Sequence, residues 1–369
     1  MLDDYRDHEQ FHLHDIEDSI VEADIQLYIE FRLSEGEVRK ALRALRPPFW
    51  RPSGEQKERL VGISGKLPII ASTAASFILD PRQLDPARQL ALLLDGVSPT
   101  DFSGSRHTTI MDHMYTQIIK AAQPNPTGDW VDRFQTFVGT ITLLRDPLPC
   151  DALAGLLGVD VNDILRALAN LHSLLAPKGE PQTFRIHHKS FPDFISDPNR
   201  CKLGPEFFIE PRTHHLRIAM ECLRVMDRDL RPNICNLTPD EWYKNRAQLR
   251  SRILDYISPH LAYACTYWAS HLNAGLDYEV GPDAEVTFLL EVFAYKHLLP
   301  WVEALSIIGR VDTVVPSLKI ACRAMQLGGS AESRRDALQD NTKQLDRGYM
   351  LHSSANTAET LFSHMCKLV

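Results

Sequence analysis

Gly65-Lys66 is the dipeptide in this chain that most invites phosphate chemistry. A phosphate loop, G-x-x-x-x-G-K-[ST], wraps phosphate oxygens in backbone amides and offers a hydroxyl to magnesium. It therefore needs glycine where Leu60 stands and serine or threonine where Leu67 stands. Both tests fail, and no hydrophobic strand ending in paired acids stands upstream of residue 15 as a Walker B element. Hydrolase chemistry finds no better footing. There is no Gly-x-Ser-x-Gly elbow, no cysteine stands near a histidine in a recognisable setting, and the acid pairs Asp3-Asp4 and Asp277 with Glu279 lie in polar, surface-like stretches. His214 and His215 are adjacent on a helix, so their side chains diverge by about 100° and make a poor pair for one metal ion. His260 and His271 have no evident partner at metal-ligand spacing. The expectation is a chain with no catalytic site and no metal site of its own.

Composition sets the remaining limits. The 369 residues leave room for two or three domains, with 44% apolar and 24% charged residues in the proportions of a globular protein. A formal charge of −8 argues against a broad nucleic-acid face, which requires clustered Lys and Arg. The local cluster Arg39-Lys40, Arg43 and Arg46 reads as a solvated helix face. The most apolar run, Leu67 to Leu79, is interrupted by Ser72, Thr73 and Ser76 and is too short to span a bilayer. The acidic start, Met1 to Asp7, lacks the apolar core of a secretory signal. Seven cysteines without C-x-x-C spacing, in surroundings such as Ala264-Cys265-Thr266, read as reduced, buried thiols. A cytoplasmic location without membrane contact follows as an expectation.

The elements that must position any site are helical almost throughout. Apolar positions recur at helical spacing over 15–33, with Ile16, Ile20, Ile25, Ile29 and Leu33, and over 109–122, with Met111, Met114, Tyr115, Ile118 and Ile119. A helix over 55–79 should break or kink at Ser64-Gly65-Lys66-Leu67-Pro68. A short helix occupies 88–94, and Gln123-Pro124-Asn125-Pro126-Thr127-Gly128 marks the best domain boundary. Beyond it, helices over 130–144, 150–157 and 161–175, the last capped by Asp160, precede a hairpin. Its strands are Ser173 to Pro177 and Thr183 to His187, around Lys178-Gly179-Glu180. Three helices and a hairpin predict a winged helix. Further helices over 211–228, 249–257, 259–272, 283–298, 301–309 and 311–327 read as stacked hairpins, and the polar stretch after Ser330 as a loosely held helix or tail.

The segment Phe184-Arg185-Ile186-His187-His188-Lys189-Ser190-Phe191-Pro192-Asp193-Phe194 resembles the His-x-Ser-Phe-x-Asp/Glu-Phe pattern that closes the winged-helix domain of NACHT-type STAND NTPases. That family includes the animal NOD-like receptors, with their innate-immunity roles, and many fungal proteins. Lys66-Leu67-Pro68-Ile69-Ile70-Ala71-Ser72-Thr73-Ala74 resembles the G-x-P region of the same class, which in fungal members usually reads Gly-Leu-Phe-Ile-Tyr-Ala-Ala-Thr-Ala. Phe11 to Glu17 resembles the segment that follows the NACHT sheet, and Pro211 to Leu216, Asn233 to Cys235 and Tyr263 to Leu272 resemble the later helical region of mushroom-type NACHT proteins, so the resemblance covers roughly residues 11 to 325. The His188 and Tyr263 to Leu272 segments are its most specific parts.

The resemblance implies a mainly α fold in four parts: a helical lid over 1–126, a winged-helix domain with a small β-hairpin wing over 127–205, a helical arm of stacked hairpins over 206–328, and a polar tail over 329–369. It implies that His188 reaches the β-phosphate of ADP, a role suited to imidazole because a ring N–H can donate to a phosphate oxygen. It implies that Pro68 packs against adenine. Read from the residues alone, His188 is equally a hinge between hairpin and helix, Pro68 a helix breaker, His187 a ring facing away and Asp193 a helix-capping carboxylate. The cofactors implied are ADP or ATP with magnesium, provided a phosphate-loop core is supplied, and none for this chain alone. The expected function is the nucleotide-responsive regulatory and oligomerisation part of a signal-transduction NTPase. The alternative is a free-standing helical scaffold for protein partners, without nucleotide dependence. DNA binding by the expected helix over 161–175 is disfavoured, since Arg166 is its one basic residue.

Overall fold

A computed structural model describes residues 17–43, 50–95, 107–238 and 252–327. Within them the chain is mainly helical, and the one sheet has two strands. Two compact units form. The first takes residues through Val131 together with Leu168–Ala176 and Ile186–Phe208; the second takes Asp132–Ala167, Pro177–Arg185 and Ile209 onward. The segment 127–205 therefore contributes residues to both units.

In the first unit, α1 (Asp18–Arg32) and α2 (Glu35–Ala41) precede α3 (Gly54–Ser64), α4 (Pro68–Ile78), α5 (Pro86–Leu94) and α6 (His107–Ala122). Ile25, Ile29 and Leu33 are the buried line of α1, at i, i+4 and i+8. The expected interruption near Pro68 is a complete break into two helices. Gly65 leaves α3 at φ +54, a left-handed value that favours glycine, and Pro68 opens α4 where its missing amide hydrogen costs nothing. Ser53 and Gln56 form a reciprocal capping box at the start of α3, satisfying two otherwise unpaired amides.

After α6, helices α7 (Gly128–Leu143), α8 (Cys150–Leu157) and α9 (Val161–Leu168) are followed by β1 (Leu175–Lys178), β2 (Thr183–Ile186) and the short α10 (Ser190–Ile195). The Asp160 carboxylate accepts the Asn162 amide at 2.7 Å, capping α9 as the sequence suggests. The third helix is shorter than its leucine spacing predicts: it stops at Leu168, and Leu171, Leu174 and Leu175 are buried from a turn and a strand instead. Burial alone fixed those leucines, and a turn satisfies it as well as a helix does. Asp193 is an exposed residue inside α10 and does not cap it, since Lys189 is the N-cap residue and no side chain bonds there.

The second unit is organised around α11 (Pro211–Asp229) and α12 (Pro259–Gly275), which pack along their lengths. Gly275 permits that approach: a Cβ there would stand 2.5 Å from the Leu216 backbone nitrogen. Trp268, Phe293 and Trp301 form an aromatic core with centroids 4.8 to 6.0 Å apart, and the Trp301 indole donates to the Cys265 carbonyl at 2.8 Å. A helical stretch at 252–256 precedes α12. α13 (Ala284–Val292) runs through a π turn at Phe293–His297 into α14 (Leu298–Ile308), and α15 (Val314–Leu327) follows a 3-10 turn. The expected helix end near Leu298 is thus a widened turn, placed where the Pro300 ring would otherwise crowd the carbonyl four residues back. The expected tail after Ser330 lies outside the described residues. No helix among the described residues is long and apolar enough to cross a membrane.

Candidate functional site

His188 lies in the first unit, half-buried, between the end of β2 and the start of α10. Its Nδ1 stands 2.7 Å from the Ser190 hydroxyl and 3.2 Å from the Ser190 backbone nitrogen. A backbone N–H can only donate, so Nδ1 is the acceptor and Nε2 carries the ring proton. The Ser190 hydroxyl gives its proton to Nδ1 and in turn accepts from the Tyr115 hydroxyl at 2.8 Å. A directional relay results, from Tyr115 through Ser190 to His188, and the Nε2–H has no acceptor among the described residues.

Helix α6 is what holds this arrangement. Tyr115 is 2% exposed, and burial raises its phenol to about 12, so it stays protonated and keeps donating. Phe191 and Phe194 of α10 meet its ring at 5.3 and 5.4 Å, the first edge-on. One turn earlier on α6, Asp112 takes a forked pair of hydrogen bonds from Arg200, the shortest at 2.8 Å, pinning the chain beyond α10. Phe191 and Phe194 are thus buried beside the ordered imidazole. His187 is exposed and its Nε2 bonds the His172 carbonyl at 3.2 Å, turning that ring to local structure.

Pro68 is exposed at the first position of α4, where its ring shapes the helix start. α4, which Pro68 opens, and α10, which follows His188, each pack against α6. Tyr115 was not singled out: on α6 it continues the apolar stripe of Met111, Met114 and Ile118. A signal was present, because a tyrosine on a buried stripe must find a partner for its hydroxyl.

The second unit holds a different group of histidines. His271, fully buried, bonds the Tyr263 hydroxyl through Nε2 at 2.7 Å and His215 Nδ1 through Nδ1 at 2.8 Å. Tyr263 also accepts the Arg145 backbone N–H at 3.0 Å. Both contacts of the His271 ring are satisfied if Tyr263 donates to His271 Nε2 and His271 Nδ1–H donates to His215 Nδ1. His214 faces the other way onto α7, its Nε2 3.3 Å from the Thr140 hydroxyl, and Gly139 leaves room for the ring where a Cβ would come within 2.6 Å. Burial depresses all three imidazoles, His214 to about 4, so they are neutral near pH 7. His260 bonds Asp229 and Ser258. The contacts of His260 and His271 are hydrogen bonds within the second unit.

Six cysteines lie among the described residues, all buried and outside any disulfide; Cys366 lies outside those residues. Burial raises the thiols of Cys150, Cys201, Cys222, Cys235 and Cys265, the last to about 12, which makes them poor nucleophiles. Among the described residues no group of three or more His, Cys, Asp or Glu is placed to hold a metal ion. Comparison of the chain with protein-family models, with curated proteins and with solved structures returns no match.

Proposed function

We propose that this chain is the nucleotide-responsive regulatory and oligomerisation part of a NACHT-type signal-transduction NTPase and is not catalytic by itself. In this reading α7, α8, α9 and the hairpin are a winged helix, and the helices from α11 onward are an arm of stacked hairpins. ADP or ATP with magnesium would be held by a phosphate-loop core that this sequence does not contain. His188 would donate its Nε2–H to a diphosphate oxygen, and the position of the wing would follow the nucleotide because ADP and ATP present different oxygens to it. The observation that carries the reading is the fixed imidazole tautomer: Ser190 uses Nδ1 twice and leaves a single directed donor.

Titration of the full chain with ADP or inorganic pyrophosphate, followed at the assigned His188 ring nitrogens, tests it. Without a phosphate loop, binding should be weak, on the order of millimolar. The reading predicts that the Nε2 resonance moves while those of His187 and His271 stay still. If His188 is unmoved at saturating pyrophosphate, or moves no more than His187, the sensor role fails. A second reading, a helical scaffold without nucleotide dependence, is favoured by one observation: Ile20, Leu27 and Phe31 of α1 are 51%, 68% and 62% exposed on a single helix.

A further inference from the structure

α1 has two apolar faces. Ile25, Ile29 and Leu33 are buried, while Ile20, Leu27 and Phe31 point outward. The outward residues are spaced by seven and four, which places them on one line of a 3.6-residue helix. Leu27, Tyr28 and Phe31 line a shallow depression whose other walls are Asp24 and Glu30. By helical position, Asp24 and Glu17 border the stripe on one side and Glu30 on the other. Arg32, the basic residue of α1, lies towards the opposite side and is paired with Glu37. Among the described residues no cation pairs with Glu17, Asp24 or Glu30; Glu30 accepts a hydrogen bond from Gln26 and Glu17 one from Ser19.

We propose that the outward face of α1 is a docking surface for a basic amphipathic helix on another protein. An apolar stripe about three turns long, with Glu17 and Asp24 on one edge and Glu30 on the other, is complemented by a helix whose own apolar stripe is flanked by Lys or Arg, as at the edges of a coiled-coil seam. A second copy of this chain is a poor occupant, since two such faces would set carboxylates against carboxylates. Residues 1–16 are poorly matched for the same reason, carrying Asp3, Asp4, Asp7, Glu9 and Asp15 against Arg6. The exposed stripe covers few residues, so it fits a weak, reversible contact rather than an obligate one. The inference is independent of any nucleotide role for His188.

Two synthetic helical peptides test it against the full chain: both carry one leucine stripe, one flanked by lysines and the other by glutamates. By fluorescence anisotropy the lysine peptide should bind with Kd on the order of 10–100 μM, weakening as salt rises, and the glutamate peptide at least about tenfold more weakly. The double variant Leu27→Ser, Phe31→Ser should lose at least about tenfold in affinity with unchanged circular dichroism, because both side chains are exposed. Asp24→Lys with Glu30→Lys should reverse the preference between peptides. Equal binding of the two peptides, no binding of either, or binding indifferent to the double variant would each overturn the proposal. So would a concentration-dependent dimer that the double variant abolishes, which would make a second copy the occupant.

Discussion

His188 in the first unit and His271 in the second are both held by a tyrosine-containing hydrogen-bond chain, yet they are built to opposite ends. At His271 both ring nitrogens are engaged, by Tyr263 and His215, and the ring is fully buried. At His188 Ser190 occupies Nδ1 alone, and the ring remains half-exposed. A histidine whose two nitrogens are both used inside the protein is a structural cross-link. One whose orientation is fixed through a single nitrogen retains a donor for an outside partner. The difference separates His271, a buried cross-link, from His188, whose Nε2 has no partner among the described residues.

Substitution should expose that contrast in stability before it appears in binding. His271→Ala leaves the Tyr263 hydroxyl and His215 buried without their partner and opens a cavity, and should cost about 3–5 kcal/mol in urea unfolding. His188→Ala should cost no more than about 1 kcal/mol. Comparable losses at the two positions would erase the distinction.

Acid should act through the buried group. The folded-state values of His214, His215 and His271 lie below that of an unfolded histidine, so the unfolded chain takes up protons first as pH falls. Stability is then fully present above about pH 6.5 and declines toward about pH 4, with His214 alone accounting for roughly 3 kcal/mol. Thermal melts across that range check the sign, and rising stability on acidification would contradict it.

Much of the helical frame was legible because burial and period coincide. α1, α6 and α8 follow their apolar spacing, and Gly65 with Pro68 announced the break between α3 and α4. The end of α9 was not legible, because Leu171, Leu174 and Leu175 keep helical spacing while being buried from non-helical backbone. Nor was the form of the interruption at Phe293–His297: Pro300 announces that the helix is disturbed, but not that it widens into a π turn and continues. His188 and Ser190 could be read as a pair from their spacing of two. Tyr115 is 75 positions from Ser190 and His215 is 56 from His271, distances across which sequence periodicity has nothing to say.

Smaller effects sharpen the comparison. Tyr263→Phe removes the donor to His271 Nε2 inside the protein and should cost about 1–2 kcal/mol by chemical denaturation. Tyr115→Phe removes the donor to Ser190 and should cost about 1 kcal/mol or less in the same assay. Its more telling consequence is a freer Ser190 hydroxyl, seen as a larger solvent-exchange rate at the His188 ring proton.

The central claim is that Ser190 fixes His188 with its proton on Nε2. Long-range proton–nitrogen correlation spectra of the 15N-histidine protein near pH 7.5, with the His188 signals assigned by their loss in His188→Gln, read the tautomer directly. The account predicts a protonated Nε2 and an acceptor Nδ1 at His188. A signal showing the proton on Nδ1, or rapid averaging between the two nitrogens, would contradict it.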